Sequence, residues 1–418
     1  MSPVTVSPVD AASAKAEYEA LVAQGITLDL TRGKPSAEQL DLSSEMLTLP
    51  GENFRAADGT DARNYGNLRG LPELREIFAG PLGVPAEQLV AAGNSSLALM
   101  HDSVANALLS PVPGATRRWV EEPRVAFLAP VPGYDRHFTV CERLGVELVP
   151  VPMTPHGPDM DTVERLVAED ASIKGIWCVP LYSNPTGIAY SDETVRRLAG
   201  MPTAAPDFRI MWDHAYAVHH LTDTPARVAD ILPLAAEAGH ADRPLVFGST
   251  SKITLAGGGV AFLGASTANL DWWLRRLEAR TIGPDKLNQL RHARFLRSVD
   301  GVAEHMRRHR ELIAPKFAAV QRVLAENFAD TPGVSWSEPA GGYFITLTVP
   351  DGLASEVVRL AKAAGIALTP AGATHPYGKD PDDAIIRLAP TFPPLAQVER
   401  AIAAVAVCLR LALATSGR

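Results

Sequence analysis

The 418-residue chain has little cysteine. Cys141, Cys178 and Cys408 are odd in number and widely spaced. They form neither a disulfide framework nor a CxxC metal site, so a reducing, cytoplasmic setting is expected, without a metal centre. Long apolar runs are missing too. The most apolar stretch, Ala401 to Leu409, is too short to span a bilayer, and Arg410 follows it. The opening residues, MSPVTVSPVD, lack the basic start and apolar centre of a secretory signal. No membrane partner is therefore expected. Bases are outnumbered, 39 Lys and Arg against 47 Asp and Glu, giving a net charge of −8. That argues against a nucleic-acid partner, which usually meets a basic domain or stripe. There is no repeat of repeat-protein length and no low-complexity tract. What remains is 46% hydrophobic and 21% charged, a globular composition. At roughly 150 residues per domain it allows two or three domains, with a core large enough to need no staples. Composition alone does not choose the chemistry.

Short, β-branched or aromatic runs bounded by Pro, Gly or Asp recur through the middle of the chain. They lie at Arg124–Pro130, Val146–Val151, Lys174–Pro180, Phe208–Asp213, Pro244–Ser249 and Val260–Gly264, and they read as buried strands. Helical patterns at Ser95–Leu109, Asp135–Leu144, Asp161–Glu169 and Asp192–Leu198 separate most of them. The alternation predicts an α/β fold: a three-layer α/β/α large domain with a mainly parallel sheet, over residues 51–300. After about residue 300 the pattern changes. His305–Phe328 reads as one long helix that Pro315 should kink or interrupt. A strand over Gly342–Val349, a helix over Ser355–Gly365, a strand over Ala384–Pro390 and a closing amphipathic helix over Gln397–Leu413 follow. This tail reads as a smaller α+β unit. With the loop-rich start it gives a discontinuous small domain of residues 1–50 and 301–418.

Four motifs lie just after predicted strands, where open α/β sheets gather their ligands. Ser249-Thr250-Ser251-Lys252 precedes a Gly-rich loop. A lysine leaving a buried strand among hydroxyls is a candidate Schiff-base nucleophile, because a dry site lowers its pKa; its ordinary reading is a surface lysine. In Asp213-His214-Ala215-Tyr216 the acid could hold a proton on a ring nitrogen and the phenol could bond a ring oxygen. A capping Asp beside a packed Tyr is the alternative. Asn184, in Ser183-Asn184-Pro185-Thr186-Gly187, offers an amide to a ligand, or merely opens an Asn-Pro turn. Gly93-Asn94-Ser95-Ser96 turns a short strand into a helix. Its N–H groups and hydroxyls suit a phosphate, or simply cap the helix. Together these supply a lysine, a phosphate cup, an acid, a phenol and an amide. That is the inventory needed to hold pyridoxal 5′-phosphate, whose protonated ring acts as an electron sink.

With those residues in place, the chain resembles the class I/II aminotransferases, pyridoxal-phosphate enzymes of fold type I, over most of its length and in the family's order. The resemblance implies a role for each matching position. Lys252 would carry the cofactor, with Ser249 and Ser251 at the hydroxyl positions before it. Asp213 would partner the ring nitrogen, Tyr216 and Asn184 the ring oxygen, and Tyr134 would stack on the ring. Asn94, Ser95 and Ser96 would hold the phosphate, helped by Tyr65 reaching in from the neighbouring subunit of a homodimer. Arg387, in Ile385-Ile386-Arg387-Leu388, would fork onto the substrate α-carboxylate, for which a guanidinium has the matching geometry. Gly33 would let backbone approach the substrate.

One departure stands out. The family's usual phosphate-binding arginine, eight residues after the lysine, is replaced by Val260. The divergent lysine segment, Thr31-Arg32-Gly33-Lys34-Pro35 and Gly283–His292 resemble the bacterial aspartate aminotransferase / MocR-like aminotransferase subgroup. The implied reaction is transamination between an amino acid and a 2-oxo acid, with L-aspartate and 2-oxoglutarate as the leading pair. A dicarboxylic substrate needs a second cation; Arg280, Lys286, Arg32 and Arg69 are candidates, each otherwise a solvated surface charge. Aromatic or branched-chain transamination, and lyase or decarboxylase chemistry on the same scaffold, remain as alternatives. A ligand-sensing regulator is disfavoured, because Gly33 and Tyr65 come too early to leave room for a DNA-binding module.

Overall fold

The computed structural model describes residues 11–416. An eight-stranded sheet forms the centre, in the spatial order Leu89–Ala91, Ala261–Ala265, Pro244–Ser249, Arg209–Asp213, Ile173–Cys178, Ala126–Val131, Glu147–Thr154, Gly157–Pro158. Five adjacent strands, from Pro244–Ser249 to Glu147–Thr154, run parallel. Ala261–Ala265 returns antiparallel beside Pro244–Ser249, and Gly157–Pro158 makes an antiparallel edge. The fold is thus α/β with a mainly parallel sheet, as the alternating pattern predicts.

Side-chain alternation sorts the sheet's two faces into two apolar cores. Phe127, Ala129, Trp177, Met211, Leu245, Phe247 and Leu263 pack on one face with the helices Ser96–Leu109, Asp135–Leu144 and Thr267–Leu277. Leu128, Ile176, Ile210, Trp212, Val246 and Phe262 pack on the other with Pro72–Leu82, Met160–Glu169, Asp192–Gly200 and Ile231–Glu237. These are the outer layers of the three-layer arrangement.

A third core joins Ala14, Leu21 and Leu28 near the start of the chain to Ile313 through Ala412 near its end. It holds a three-stranded antiparallel sheet, Ser335–Trp336, Ile345–Thr348 and Ile385–Leu388. A short parallel pairing of Leu28–Asp29 with Ile366–Ala367 ties the two chain ends together.

The long helix departs from the expected one. It runs over Val299–Phe328, starting six residues earlier, where the Ser298 hydroxyl accepts from the Gly301 N–H at 3.1 Å. It also continues through Pro315. Pro315 and Glu311, whose carbonyl would have taken the missing N–H, are both exposed; on that solvent-facing side the carbonyl is open to water, so the lost bond need not break the helix. Its first turns pack Val302 and Met306 into the sheet core, and its later turns pack Ile313 and Phe317 into the third core. Among the described residues, no helix is long and apolar enough to cross a membrane.

Candidate active site

The carboxyl ends of the parallel strands open onto a cavity of about 390 Å³. Gly33, Arg32, Ser96, Tyr134, Asn184, Asp213, Tyr216, Lys252 and Arg387 all line it, although they come from segments spread across the chain. Each strand delivers one group. Ala126–Val131 leads to Tyr134, Ile173–Cys178 to Asn184, Arg209–Asp213 ends on the acid, and Pro244–Ser249 turns into Lys252.

Asp213 is 3% exposed. Its Oδ2 lies 2.9 Å from Nε2 of the buried His137, whose ring stacks on Trp177 at 4.3 Å and 11°. Its Oδ1 is buried and has no partner among the described residues. A buried carboxylate oxygen left free costs energy unless a donor arrives, and this one belongs to a cavity-lining side chain. Tyr216, 3% exposed, lines the same wall. Burial first, then the phenol and carboxylate charges of Tyr134 and Asp213, raise its pKa well above the ordinary phenol value, so it stays a neutral donor. The Lys252 Nζ sits 5.0 Å from the centre of the Tyr216 ring. Burial lowers its pKa, against the opposing pull of Asp213.

A polar network pins the lysine turn. The Lys252 carbonyl lies 3.2 Å from His219 Nε2 and accepts from the Tyr343 hydroxyl at 3.4 Å. The Val260 N–H donates to the Thr250 hydroxyl at 2.9 Å, and that hydroxyl lies 3.1 Å from His292 Nε2. Val260 itself is buried in the sheet core, so the missing arginine has become an apolar packing position. Nearby, Gly93 adopts φ +65°, the left-handed turn glycine favours. Asn94, Ser95 and Ser96 follow it into the helix. Ser95 caps that helix by accepting from the Ala98 N–H at 3.3 Å, and Ser251 donates to the Asn94 carbonyl at 3.4 Å. The Ser249 hydroxyl accepts from the Ser251 N–H at 3.4 Å. The Gly93–Ser96 turn and the lysine turn are therefore in contact.

Arg387 is 8% exposed. Its Nη1 donates to Asp135 Oδ1 at 2.9 Å and to Asn184 Oδ1 at 3.4 Å. The Phe344 ring lies 5.1 Å from its guanidinium carbon. A Cβ on Gly33 would come 2.1 Å from that same ring. Here the glycine makes room for Phe344 as well as for anything entering the cavity.

The remaining expected residues lie elsewhere on this chain. Tyr65 is 79% exposed and outside the cavity. Arg280 does not line it either: its guanidinium pairs with Asp102. Lys286 donates to the Gly66 carbonyl at 2.8 Å, and Arg69 to the Glu87 carbonyl at 3.1 Å. Three residues not singled out from the sequence do belong to the site: His137 behind Asp213, and Asp135 and Arg136 in the cavity wall. The signal was their position, within one helical turn of Tyr134. The three cysteines are buried free thiols; burial pushes Cys141 and Cys408 up to about 12.

A mainly parallel sheet that delivers a lysine, an acid with one free oxygen, a phenol, an amide and an arginine to one cavity is the build of a fold type I pyridoxal-phosphate enzyme. The chain belongs to the aspartate amino-transferase family, whose model matches residues 1–417. It is 48% identical over 401 residues to an aspartate aminotransferase of Corynebacterium glutamicum, covering 96% of this chain and 93% of that one. A Mycolicibacterium smegmatis protein that carries an aminotransferase name is 57% identical over 398 residues, 94% of this chain and 93% of its own. The crystal structure of a Corynebacterium glutamicum aspartate transaminase superposes with a TM-score of 0.95 at 48% identity, over 97% and 95% of the two chains. The protein is an aminotransferase acting between amino acids and 2-oxo acids, and its cofactor is pyridoxal 5′-phosphate.

Proposed function

We propose that the protein converts L-aspartate and 2-oxoglutarate into oxaloacetate and L-glutamate in two alternating half-reactions. The observation that carries this is the joint lining of one cavity by Lys252, Asp213, Asn184 and Arg387. The 48% identical relative named for aspartate supports the choice of substrate. When bound, pyridoxal phosphate supplies an electron sink conjugated to the substrate Cα and a carbon that carries the amino group between half-reactions.

The chain's own residues do the rest. Arg387 takes the α-carboxylate, releasing Asp135 as it does so. Asn184 steadies the guanidinium. Asp213 would present its free Oδ1 to a protonated ring nitrogen, with His137 fixing the other oxygen. Tyr216 would donate to the ring oxygen, Tyr134 would cover a ring face, and the Ser249, Ser251 and Asn94–Ser96 groups would hold the phosphate. With the cofactor bound, the Lys252 amine would take the proton from the substrate Cα and hold it for return. A lowered pKa keeps more of this amine in its basic form. Tyr65, exposed here, completes the phosphate site of a second subunit in a homodimer.

Replacing Lys252 with Ala is expected to remove the visible absorbance of the cofactor–lysine linkage. It should also lower kcat for aspartate and 2-oxoglutarate by at least about a thousandfold, the scale of lost general acid–base catalysis. A Lys252→Ala enzyme with wild-type turnover would end this assignment.

A further inference from the structure

We propose that a second cavity, beside the loop that follows Asp213, is a binding site for a small organic monocarboxylate with an apolar body. The inference goes beyond transamination and stands whichever amino acid the active site takes. The cavity measures about 640 Å³, against about 390 Å³ for the active site, and the two share no lining residue. It lies where the first turns of the helix Val299–Phe328 pass the loop after Asp213 and the end of the helix Pro72–Leu82. Such a volume is ordinary for a small-molecule site.

The buried part of the lining is apolar: Leu181, Val302 and Met306 supply it. One polar group interrupts it. His214 is 8% exposed, and neither of its ring nitrogens has a hydrogen-bond partner among the described residues. Burial holds its pKa down at about 4, so at neutral pH the ring is uncharged and keeps one N–H to donate. A buried donor without an acceptor is costly, and an acceptor entering the cavity removes that cost. Cations dominate the outer lining. Arg227, Arg310 and His220 all belong to it, and the charges of both arginines, after burial, lower the His220 pKa, which puts the three groups near one another. Arg227 is exposed and makes no hydrogen bond, ion pair or ring contact with any described residue. Arg310 donates to the Thr222 carbonyl at 3.0 Å and pairs with Asp223 at 2.7 Å. The Asp223 side chain is 91% exposed, so that ion pair is weak and readily exchanged for another carboxylate. The third arginine of the lining, Arg307, is committed to Glu304 at 2.8 Å. Asp230 stands beside Gly83, and with Asp223 it sets a second acid in the lining. Those two acids disfavour a multiply charged ligand. Two available guanidinium groups suit the fork of one carboxylate, and the apolar lining suits the body attached to it.

The test titrates the holoenzyme with 2-naphthoate, followed by the fluorescence of the probe. Saturable binding is expected. The double variant Arg227→Gln with Arg310→Gln should bind about 10- to 100-fold more weakly while keeping wild-type kcat and KM, since neither residue lines the active site. Arg227→Gln alone, which removes no contact within the fold, should account for part of that loss, and it decides the matter if the double variant fails to fold. The uncharged amide, 2-naphthamide, should bind at least about tenfold more weakly than the acid. Arg387→Gln should leave the affinity for 2-naphthoate unchanged. No saturable binding to the wild type would overturn the proposal, as would equal affinity for acid and amide, or unchanged affinity in the arginine variants. A loss confined to Arg387→Gln would place the probe in the active site and overturn it as well.

Discussion

At Arg387, the proposed anchor of the substrate α-carboxylate, an internal carboxylate already stands. The 2.9 Å bond from Nη1 to Asp135 satisfies a nearly buried guanidinium, which would otherwise be costly. Substrate must displace that bond, so Asp135 trades affinity for a correctly oriented arginine. Asp135→Asn is therefore expected to lower KM several-fold for amino-acid and 2-oxo-acid substrates alike, with a smaller change in kcat; steady-state kinetics on both checks it. A higher KM would mean that orientation outweighs competition. The same residues show what was legible beforehand. Lys252, Asp213 and Asn184 were readable because each ends or closely follows a recognisable strand, and Arg387 because it lies within one. Asp135, Arg136 and His137 were not, because at a helix start they look like a solvated first turn. For Arg280, Arg69 and Lys286 the letters alone did not give the contacts they make within this chain. Their partners, Asp102, Glu87 and Gly66, are set by tertiary folding.

Among the elements, the lysine turn and the long helix share a buried histidine network. His305 Nε2 lies 2.7 Å from the Ile253 carbonyl and 3.1 Å from His309 Nε2. His309 Nδ1 lies 3.0 Å from the Gln39 side-chain nitrogen, which donates to the Tyr343 hydroxyl at 3.0 Å. Residue 39, the long helix and the turn after Lys252 are thereby fastened together. Burial holds His292 and His214 down at about 4 and His309 at about 3, and lowers His305 and His219 as well. Unfolded, these rings titrate near ~6.5. Between that value and about 4 the unfolded chain binds more protons, so stability rises with pH. Their contribution is complete above ~6.5 and is lost as the pH falls, on the order of 3–5 kcal/mol for a ring shifted this far. Denaturant midpoints should be flat above neutrality and fall steadily below it, with a shallower fall in His292→Asn. An equal slope in that variant would remove His292 from the account. None of this was visible as an element pattern: the helix period was readable, but its extension through Pro315 depended on which side of the helix faces water.

For the whole molecule, we propose the division expected from the sequence, residues 51–300 against 1–50 with 301–418. The long helix crosses that boundary, with its first turns in the sheet core and its later turns in the core of the chain ends. A rigid helix shared by two cores would transmit any relative movement to the cavity between them. Exposed Tyr65 and Ile282 fit a face covered by a second copy. Sedimentation should give about twice 44.6 kDa, and dilution to monomer should abolish turnover; a fully active monomer would contradict the shared site. The alternating pattern made the sheet readable, and a unit made of both chain ends was expected too; what gave no signal is the pairing of Leu28–Asp29 with Ile366–Ala367, too short to announce itself. The most direct test of the central claim is a half-reaction screen of the wild-type holoenzyme against each amino acid alone, following loss of the visible cofactor–lysine band. Loss with L-aspartate and L-glutamate is the predicted result; loss with alanine or phenylalanine but with neither dicarboxylate would contradict it.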